Sequence, residues 1–190
     1  RDLHSFPTRR SSDLYSTDFN FGTDDFTLET WVNLDNVSTN QQLIATNNSN
    51  WGTKLSWTLD VNATTAKLRF HMNDTTGTHY NLLGDTALSA STWYHIAMVR
   101  YSNTGSLYID GVAESTTADM SGWPSFTLAT DNYPDIGHSG FGGHLDGYAD
   151  EIRISDSARY TTTFTPSTTA FTADANTMLL IHSNWDGGLG

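Results

Sequence analysis

The stretch that decides the fold class is residues 25–32, with the sequence D-F-T-L-E-T-W-V. Its side chains alternate in polarity with a period of two, which is typical of a β-strand with one buried face. One face carries the apolar side chains Phe26, Leu28 and Val32. Glu29 and Trp31 fall on the opposite face, so this segment predicts a strand that covers a core.

Short segments of the same kind recur along the chain, separated by stretches rich in turn residues. We predict further strands at residues 54–59, 67–72, 93–101, 106–109, 148–154 and 177–182. Residues 93–101 are apolar on both faces, which is typical of a central strand, and Asp110-Gly111 predicts a tight hairpin turn. The turn-rich stretches are residues 46–53, 73–78, 131–143 and 155–174.

No segment shows a sustained helical period, and the best helical candidate is one turn near residues 157–159. Many short strands without helices predict an all-β fold with two packed sheets. A chain of 190 residues with 37% hydrophobic residues can bury one core. We therefore expect a single antiparallel two-sheet jelly-roll sandwich.

The first fourteen residues, R-D-L-H-S-F-P-T-R-R-S-S-D-L, differ in style from the rest of the chain. They resemble the in-frame translation of a common sequencing-library adapter, so we treat residues 1–14 as a non-native segment and expect the domain to span residues 15–190. The alternative is a genuine basic arm that binds nucleic acid or a membrane. On the first interpretation the true N-terminus is missing, and the C-terminal end is also expected to be a truncated edge.

Three stretches resemble the laminin-G-like group of the concanavalin A-like lectin/glucanase superfamily. Residues 25–32 resemble its first core strand, and W-Y-H-I-A at residues 93–97 followed by L-Y-I-D-G-V at residues 107–112 resembles its central hairpin. Residues 145–154, L-D-G-Y-A-D-E-I-R-I, resemble its late D-E-x-R strand. The resemblance implies the concanavalin A-like jelly roll, a fold that carries many unrelated activities.

The net charge of −12 and the presence of only two lysines, Lys54 and Lys67, argue against a nucleic-acid partner. No apolar run has the length needed to cross a bilayer, so we expect no membrane insertion. The absence of cysteine excludes disulfides and thiolate metal sites.

The chain also lacks the paired carboxylates that a glycoside hydrolase needs. Its three glutamates, Glu29, Glu114 and Glu151, do not share a strand face in an E-x-D-x-x-E pattern. There is no G-x-S-x-G nucleophile motif. We therefore expect a protein that is not an enzyme.

The resemblance also implies a calcium ion held by aspartates and loop carbonyls, for which we name Asp25, Asp146 and Asp150. A structural alternative exists for each residue. Asp25 could form a turn with Asp24, and Asp150 could accept backbone N–H groups beside a bulge.

Sugar rings stack on exposed aromatic side chains and pair their hydroxyls with polar groups. The candidate carbohydrate-binding residues are Trp51, Trp123, Tyr133, Asp135 and His138. For each aromatic the alternative is packing over a sheet edge. We expect Trp31, Trp57 and Trp93, which lie in strands, to belong to the core.

Our first hypothesis is a non-catalytic module that binds glycans or another surface ligand, through its loops or its concave sheet. We place it in a larger extracellular, cell-surface or virion protein, with the other domains of that protein as further partners. The alternatives are a purely structural spacer of a tail fibre or surface protein, and a remnant of a glycoside hydrolase. An exposed Trp51, Trp123 or Tyr133 beside polar side chains would favour the first hypothesis.

Overall fold

The computed structural model describes residues 17–46, 54–128, 133–138 and 143–183. Its strands are β1 (Phe26–Leu34), β2 (Gln41–Thr46), β3 (Ser56–Val61), β4 (Lys67–Asn73), β5 (His79–Ala87), β6 (Trp93–Tyr101), β7 (Thr104–Ile109), β8 (Val112–Asp119), β9 (Pro134–Ile136), β10 (Gly147–Ser155) and β11 (Thr177–Ile181). A single 3₁₀ turn at Thr17–Phe19 precedes them. The segment 1–14 and Trp51 lie outside the described residues.

The strands form two antiparallel sheets packed face to face. The six-stranded sheet has the order β11-β10-β1-β6-β7-β8, and the five-stranded sheet has the order β5-β4-β3-β2-β9. β1 pairs with β10 on one side and with β6 on the other. This arrangement confirms the predicted all-β sandwich and the central place of residues 93–101.

The core between the sheets follows from the alternation read in the sequence. Phe26, Leu28 and Val32 point into it from β1, whereas Glu29 and Trp31 lie on the outer face. The facing layer comes from the five-stranded sheet, where Trp57 and Phe70 are almost completely buried.

The outer face of the six-stranded sheet is covered by residues 156–176, which we call the strap. Tyr160 and Phe164 of the strap stack on each other and pack against Ala97, Val99 and Tyr108 of the sheet. The sequence predicted turns here and one helical turn near residues 157–159. The described chain has no helix at that point. The strap is irregular there, and aromatic contacts with the sheet hold it in place.

Sequence analysis named no strand at β2, β5, β8 or β9. β8 is an edge strand with mostly exposed residues, so it has little apolar alternation to detect. β9 has three residues and lies inside the stretch predicted as turns. The predicted hairpin at Asp110-Gly111 is confirmed, with positive φ angles of 50° and 77° at its two central residues.

Candidate functional site

The outer face of the five-stranded sheet carries mostly polar side chains, and we call it the polar face. In each strand of this sheet, every second side chain points into the core. Examples are Trp57, Phe70, Met72, Leu82 and Ile136. The alternate residues therefore point outward. They are Gln42, Ala45, Ser56, Thr58, Asp60, Lys67, Arg69, His71, Asn73, His79, Asn81, Leu83 and Asp135.

The strand register arranges these residues in rows across the sheet. One row runs Asp135, Ala45, Thr58, His71 and Asn81, each directly opposite the next. Adjacent strands lie about 4.8 Å apart. The row therefore has one small side chain, that of Ala45, between Asp135 and Thr58.

A second row holds Asp60, the one carboxylate that the described residues place in the middle of the polar face. Arg69 Nε donates to Asp60 Oδ1 at 2.9 Å, and Gln42 Nε2 donates to Asp60 Oδ2 at 3.5 Å. Burial raises the pKa of Asp60, and the bonds from Arg69 and Gln42 offset only part of that rise. The guanidinium is thus held in place by a carboxylate with little solvent contact.

Several polar atoms in the centre of the polar face are buried without a hydrogen-bond partner. They are Gln42 Oε1, Thr58 Oγ1 and Asn73 Oδ1. Such an atom costs about 1–3 kcal/mol, so folded proteins contain few of them. Comparable atoms occur elsewhere, for instance in Arg100, but these three share one face of one sheet.

His71 lies in the same central row and stays uncharged near neutral pH. Burial, together with the charges of Arg69 and His79, lowers its pKa to about 4. A neutral imidazole has one donor and one acceptor nitrogen, so His71 presents hydrogen-bonding capacity without adding a charge.

The edge of the polar face at β9 brings three of the sequence-predicted residues together. Asp135 Oδ2 lies 2.9 Å from His138 Nδ1, and the His138 ring stacks on His144 at 4.9 Å between centroids. Tyr133 is half-buried, lies two residues before Asp135 and follows the same alternation. The side chains of Asp135 and His138 are 25% and 43% exposed, so this edge is open to solvent.

Gly137 makes the turn between Asp135 and His138 possible. Its φ angle of +70° lies in the left-handed region that favours glycine. Its N–H donates to Leu43 O at 3.0 Å, and its carbonyl accepts from Leu145 N at 2.8 Å. The turn is therefore fixed between β2 and the segment that leads to β10.

Trp123 lies on the other side of the five-stranded sheet. Its ring stacks on Phe70 at 6.1 Å and packs against Tyr80 at 5.4 Å, and it is half-buried beside the core. It does not share a surface with Tyr133 and Asp135. Trp57 is a core residue as expected, but Trp31 lies on the outer face of the six-stranded sheet, where its Nε1 donates to Ser167 O of the strap.

The structure does not bring the three predicted calcium ligands together. Asp25 precedes β1 and accepts a hydrogen bond from Ser102 N at 2.9 Å. Asp146 precedes β10 and lies at the opposite end of β1. The nine extended residues of β1 therefore separate Asp25 and Asp146 by about 30 Å. Asp150 lies between them and accepts from Glu151 N and Ser183 N. No group of three metal-ligating side chains occurs within the described residues.

Two glutamates have structural partners under the strap. Glu29 accepts from Arg153 Nε at 2.7 Å and from Tyr160 O–H at 2.7 Å, and lies 3.1 Å from His95 Nε2. Glu151 accepts from Phe171 N at 2.5 Å and lies 2.7 Å from His182 Nδ1. These contacts join the strap and β11 to the sheet.

Sequence reasoning missed the central residues of the polar face. The signal that could have found them is the alternation K-L-R-F-H-M-N in β4, in which every outward position is polar. That signal identifies a polar outer face, but it does not show which residues of other strands lie beside it.

Comparisons with known proteins agree with this architecture. A laminin-G-type family model, described as the concanavalin A-like lectin/glucanases superfamily, matches residues 8–163, which includes the end of the segment 1–14. No curated protein shows significant sequence similarity to the chain. Within the described residues, no helix is both long enough and apolar enough to span a bilayer.

Solved structures with the same fold have low sequence identity to the chain. A sialidase carbohydrate-binding module (CBM40) from Ruminococcus gnavus, bound to α2,3-sialyllactose, matches with a TM-score of 0.60 and 15% identity over 74% of this chain and 80% of its own. Domain 4 of an extracellular arabinanase from Geobacillus stearothermophilus, in complex with arabinotriose, matches with a TM-score of 0.56 and 17% identity over 71% of this chain and 62% of its own.

A heptameric pentraxin from Limulus polyphemus matches with a TM-score of 0.52 and 13% identity over 73% of this chain. The chain spans 66% of that pentraxin's length. These likenesses concern the fold, and the family model concerns most of the sequence. The chain belongs to the concanavalin A-like lectin/glucanases superfamily.

Proposed function

We propose that this domain is a non-catalytic glycan-binding module of a larger extracellular, cell-surface or virion protein. Its binding site is the polar face together with the edge formed by Tyr133, Asp135 and His138. The observation that carries the proposal is the set of buried, unpaired polar atoms in the centre of that face.

The chemistry of the site suits a sugar. Glycan hydroxyls both donate and accept, so they can pair with carboxylate, amide, hydroxyl and imidazole groups that lie side by side. Thr58 and Asn73 have polar atoms without a hydrogen-bond partner in the buried centre of the face, and Tyr133 supplies an aromatic ring at the open edge. The ligand enters at β9, where Asp135 and His138 are partly exposed.

Two further observations support the proposal. Glu29 and Glu151 are engaged under the strap, away from the polar face, so neither is available there as a catalytic acid. In addition, two structures of the same fold hold sialyllactose and arabinotriose respectively.

A glycan-array screen of the full chain, run with calcium and again with a chelator, tests the proposal. We expect selective binding to a defined group of glycans. Loss of binding in chelator would add a calcium ion to the site, and unchanged binding would leave calcium out of it. No binding by protein shown to be folded would overturn the proposal and favour a structural spacer.

A matched pair of variants locates the site. Asp135→Asn removes one carboxylate charge at the proposed edge, and we expect binding to weaken at least about tenfold because a charged hydrogen bond contributes about 1.5–3 kcal/mol. Asp119→Asn removes the same charge from the end of β8 in the other sheet and should leave binding unchanged. Equal effects of the two variants would place the site elsewhere.

A further inference from the structure

We infer that the domain has a second carbohydrate site, a cavity on the outer face of the six-stranded sheet that accepts one neutral sugar ring. The cavity has a volume of about 200 Å³ and lies beside the first residues of the strap. The polar face belongs to the other sheet. This site is therefore an addition to the proposed function and does not depend on the polar face.

The floor of the cavity comes from the pairing of β6 with β7. On the outer face, Val99 lies opposite Ser106, and Tyr101 lies opposite Thr104 at the end of the hairpin. The inward neighbours of these residues on both strands belong to the core. Val99 and Ser106 have short side chains, and the cavity lies over them, next to the larger ring of Tyr101.

One wall of the cavity consists of Tyr160 and Thr161 of the strap together with Tyr108 of β7. The hydroxyl of Tyr108 donates to Tyr160 O at 3.4 Å, and the hydroxyl of Tyr160 donates to Glu29 Oε2 at 2.7 Å. The Tyr160 ring also stacks on Phe164, with 3.5 Å between ring centroids. This wall is therefore formed before a ligand arrives, which lowers the entropic cost of binding.

The hairpin turn between β6 and β7 fixes the opposite wall, which carries Tyr101. The two central residues of the turn, Ser102 and Asn103, have φ angles of +47° and +65°, as a tight hairpin turn requires. Ser102 N donates to Asp25 Oδ1 at 2.9 Å, and Asn103 O accepts from Met120 N at 2.7 Å. Tyr101 is 49% exposed, so its ring has surface for a ligand although its backbone is held on both sides.

Four hydroxyl groups around the cavity are available to a ligand. They belong to Tyr101, Thr104, Ser106 and Thr161. Within the part of the chain that the structure describes, none of these four side chains has a hydrogen-bond partner. The hydroxyls of Ser115 and Thr116 on the adjacent strand β8 differ, because both are bonded to Asp85.

The lining suits a neutral ring that has apolar faces and a polar rim. Among the described residues that line the cavity there is no acidic or basic side chain, so a charged ligand would find no counterion there. A purely apolar ring would displace water from the four hydroxyls without replacing its hydrogen bonds, which is unfavourable. A pyranose stacks its C–H face on an aromatic ring and pairs its own hydroxyls with those of the protein.

The size of the cavity limits the ligand to one ring. Sites for drug-sized ligands have volumes of roughly 300–1,000 Å³, and this cavity is smaller, at about 200 Å³. An oligosaccharide would therefore place only one of its units, for instance a terminal residue, in the cavity.

Amide chemical-shift mapping of the full chain by NMR tests the inference. The neutral probes are methyl β-galactoside, methyl α-mannoside and methyl α-fucoside, and p-cresol is the apolar aromatic probe. We expect at least one glycoside to shift the amides of Tyr101, Thr104, Ser106 and Thr161 with a Kd of about 1–10 mM, and p-cresol to bind there more weakly.

Three outcomes would overturn the second site or its ligand. If no glycoside shifts these four amides at about 50 mM, the cavity is not a sugar site. Shifts confined to the polar face would remove the second site and leave the proposed function intact, because each site reports through its own amides. Tighter binding of p-cresol than of every glycoside would replace the sugar with an aromatic side chain of a protein partner.

A matched pair of tyrosine variants locates the effect. Tyr101 and Tyr148 are both 49% exposed and lie at opposite ends of the six-stranded sheet. Tyr101→Ala removes the proposed stacking surface and should weaken binding of the best glycoside about fivefold or more, whereas Tyr148→Ala should leave it unchanged. Thr104→Val, which removes one hydroxyl and keeps the shape of the side chain, should weaken binding less than Tyr101→Ala. Equal affinities of the two tyrosine variants would contradict a site in this cavity.

Discussion

The outer face of each sheet has a buried carboxylate near its centre, yet the surroundings of the two carboxylates are organised in different ways. On the six-stranded sheet, Glu29 accepts hydrogen bonds from Arg153 and Tyr160 and contacts His95, and the strap covers this cluster. On the five-stranded sheet, Asp60 accepts hydrogen bonds from Arg69 and Gln42, while three neighbouring polar atoms have no hydrogen-bond partner.

The two central carboxylates show the difference most clearly. Burial raises the pKa of Glu29, but His95, Arg153 and Tyr160 outweigh burial and leave that pKa below its ordinary value. Burial also raises the pKa of Asp60, and there the effect of burial prevails over Arg69 and Gln42. In the first cluster every oxygen of the carboxylate is paired, and His95 Nδ1 is the buried atom that has no partner there. In the second, three side chains around the carboxylate have such atoms, which is the feature on which the proposed binding site rests.

The largest expected loss of stability comes from disrupting the Glu29 cluster on the six-stranded sheet. Glu29→Gln leaves the charge of buried Arg153 without its counterion, and removal of one partner from a buried pair costs about 3–5 kcal/mol. Urea unfolding followed by tryptophan fluorescence measures the loss. Asp174→Asn, at the half-exposed partner of Arg159, serves as the control and should have a small effect. Unfolding of Glu29→Gln at the wild-type urea concentration would show that the network is dispensable.

A smaller loss is expected where the hairpin meets the strap. At Gly111 a Cβ atom would lie 1.9 Å from Phe164 O, and the φ angle is +77°. Gly111→Ala should therefore destabilise the protein by about 1–3 kcal/mol and increase protease cleavage within the strap. At Gly122 a Cβ atom would meet nothing within 4 Å, so Gly122→Ala is the matched control. Unchanged cleavage of the strap in Gly111→Ala would mean that the strap adjusts without cost.

On the polar face we expect a substitution that stabilises the protein instead of destabilising it. Thr58→Val removes a buried hydroxyl that has no partner, so the free energy of unfolding should rise by about 1 kcal/mol. Glycan binding should weaken in the same variant, because the proposed site pairs this hydroxyl with the ligand. Thr117→Val on the exposed β8 strand should change neither quantity. A destabilised Thr58→Val would show that the hydroxyl is already satisfied in the folded protein.

The smallest effect concerns pH and the contact between the edges of the two sheets. Bonds from Thr116 and Ser115 of β8 lower the pKa of Asp85 on β5 to about 2. A carboxyl whose pKa is lower in the folded state contributes stability above its unfolded pKa, near 3.8, and loses it as pH falls towards 2. Asp85→Asn should therefore flatten the fall in stability between pH 4 and pH 2. If stability falls between pH 4 and pH 2 in the variant as it does in the wild type, other carboxyls cause that fall.

Part of the candidate site could be predicted from the sequence and part could not. Tyr133, Asp135 and His138 are near neighbours along the chain, so a local pattern was enough to group them. Asp25 and Asp146 were grouped by residue type, but the length of β1 keeps them apart. Trp123 lies in a loop, yet its ring packs on Phe70 and Tyr80 beside the core, because burial of a large aromatic surface is favourable.

The sequence by itself determined the strands with strong alternation, the inward and outward faces of β1 and β4, the hairpin at Asp110-Gly111 and the superfamily. Each of these depends on residues within about ten positions of one another, where side-chain periodicity and turn preference act. Only the tertiary structure decided that the strap closes one face, and that Asp135, Thr58 and His71 share a row of the other. Cross-strand neighbours come from pairing between distant segments, and their register is fixed by the core that the two sheets bury together.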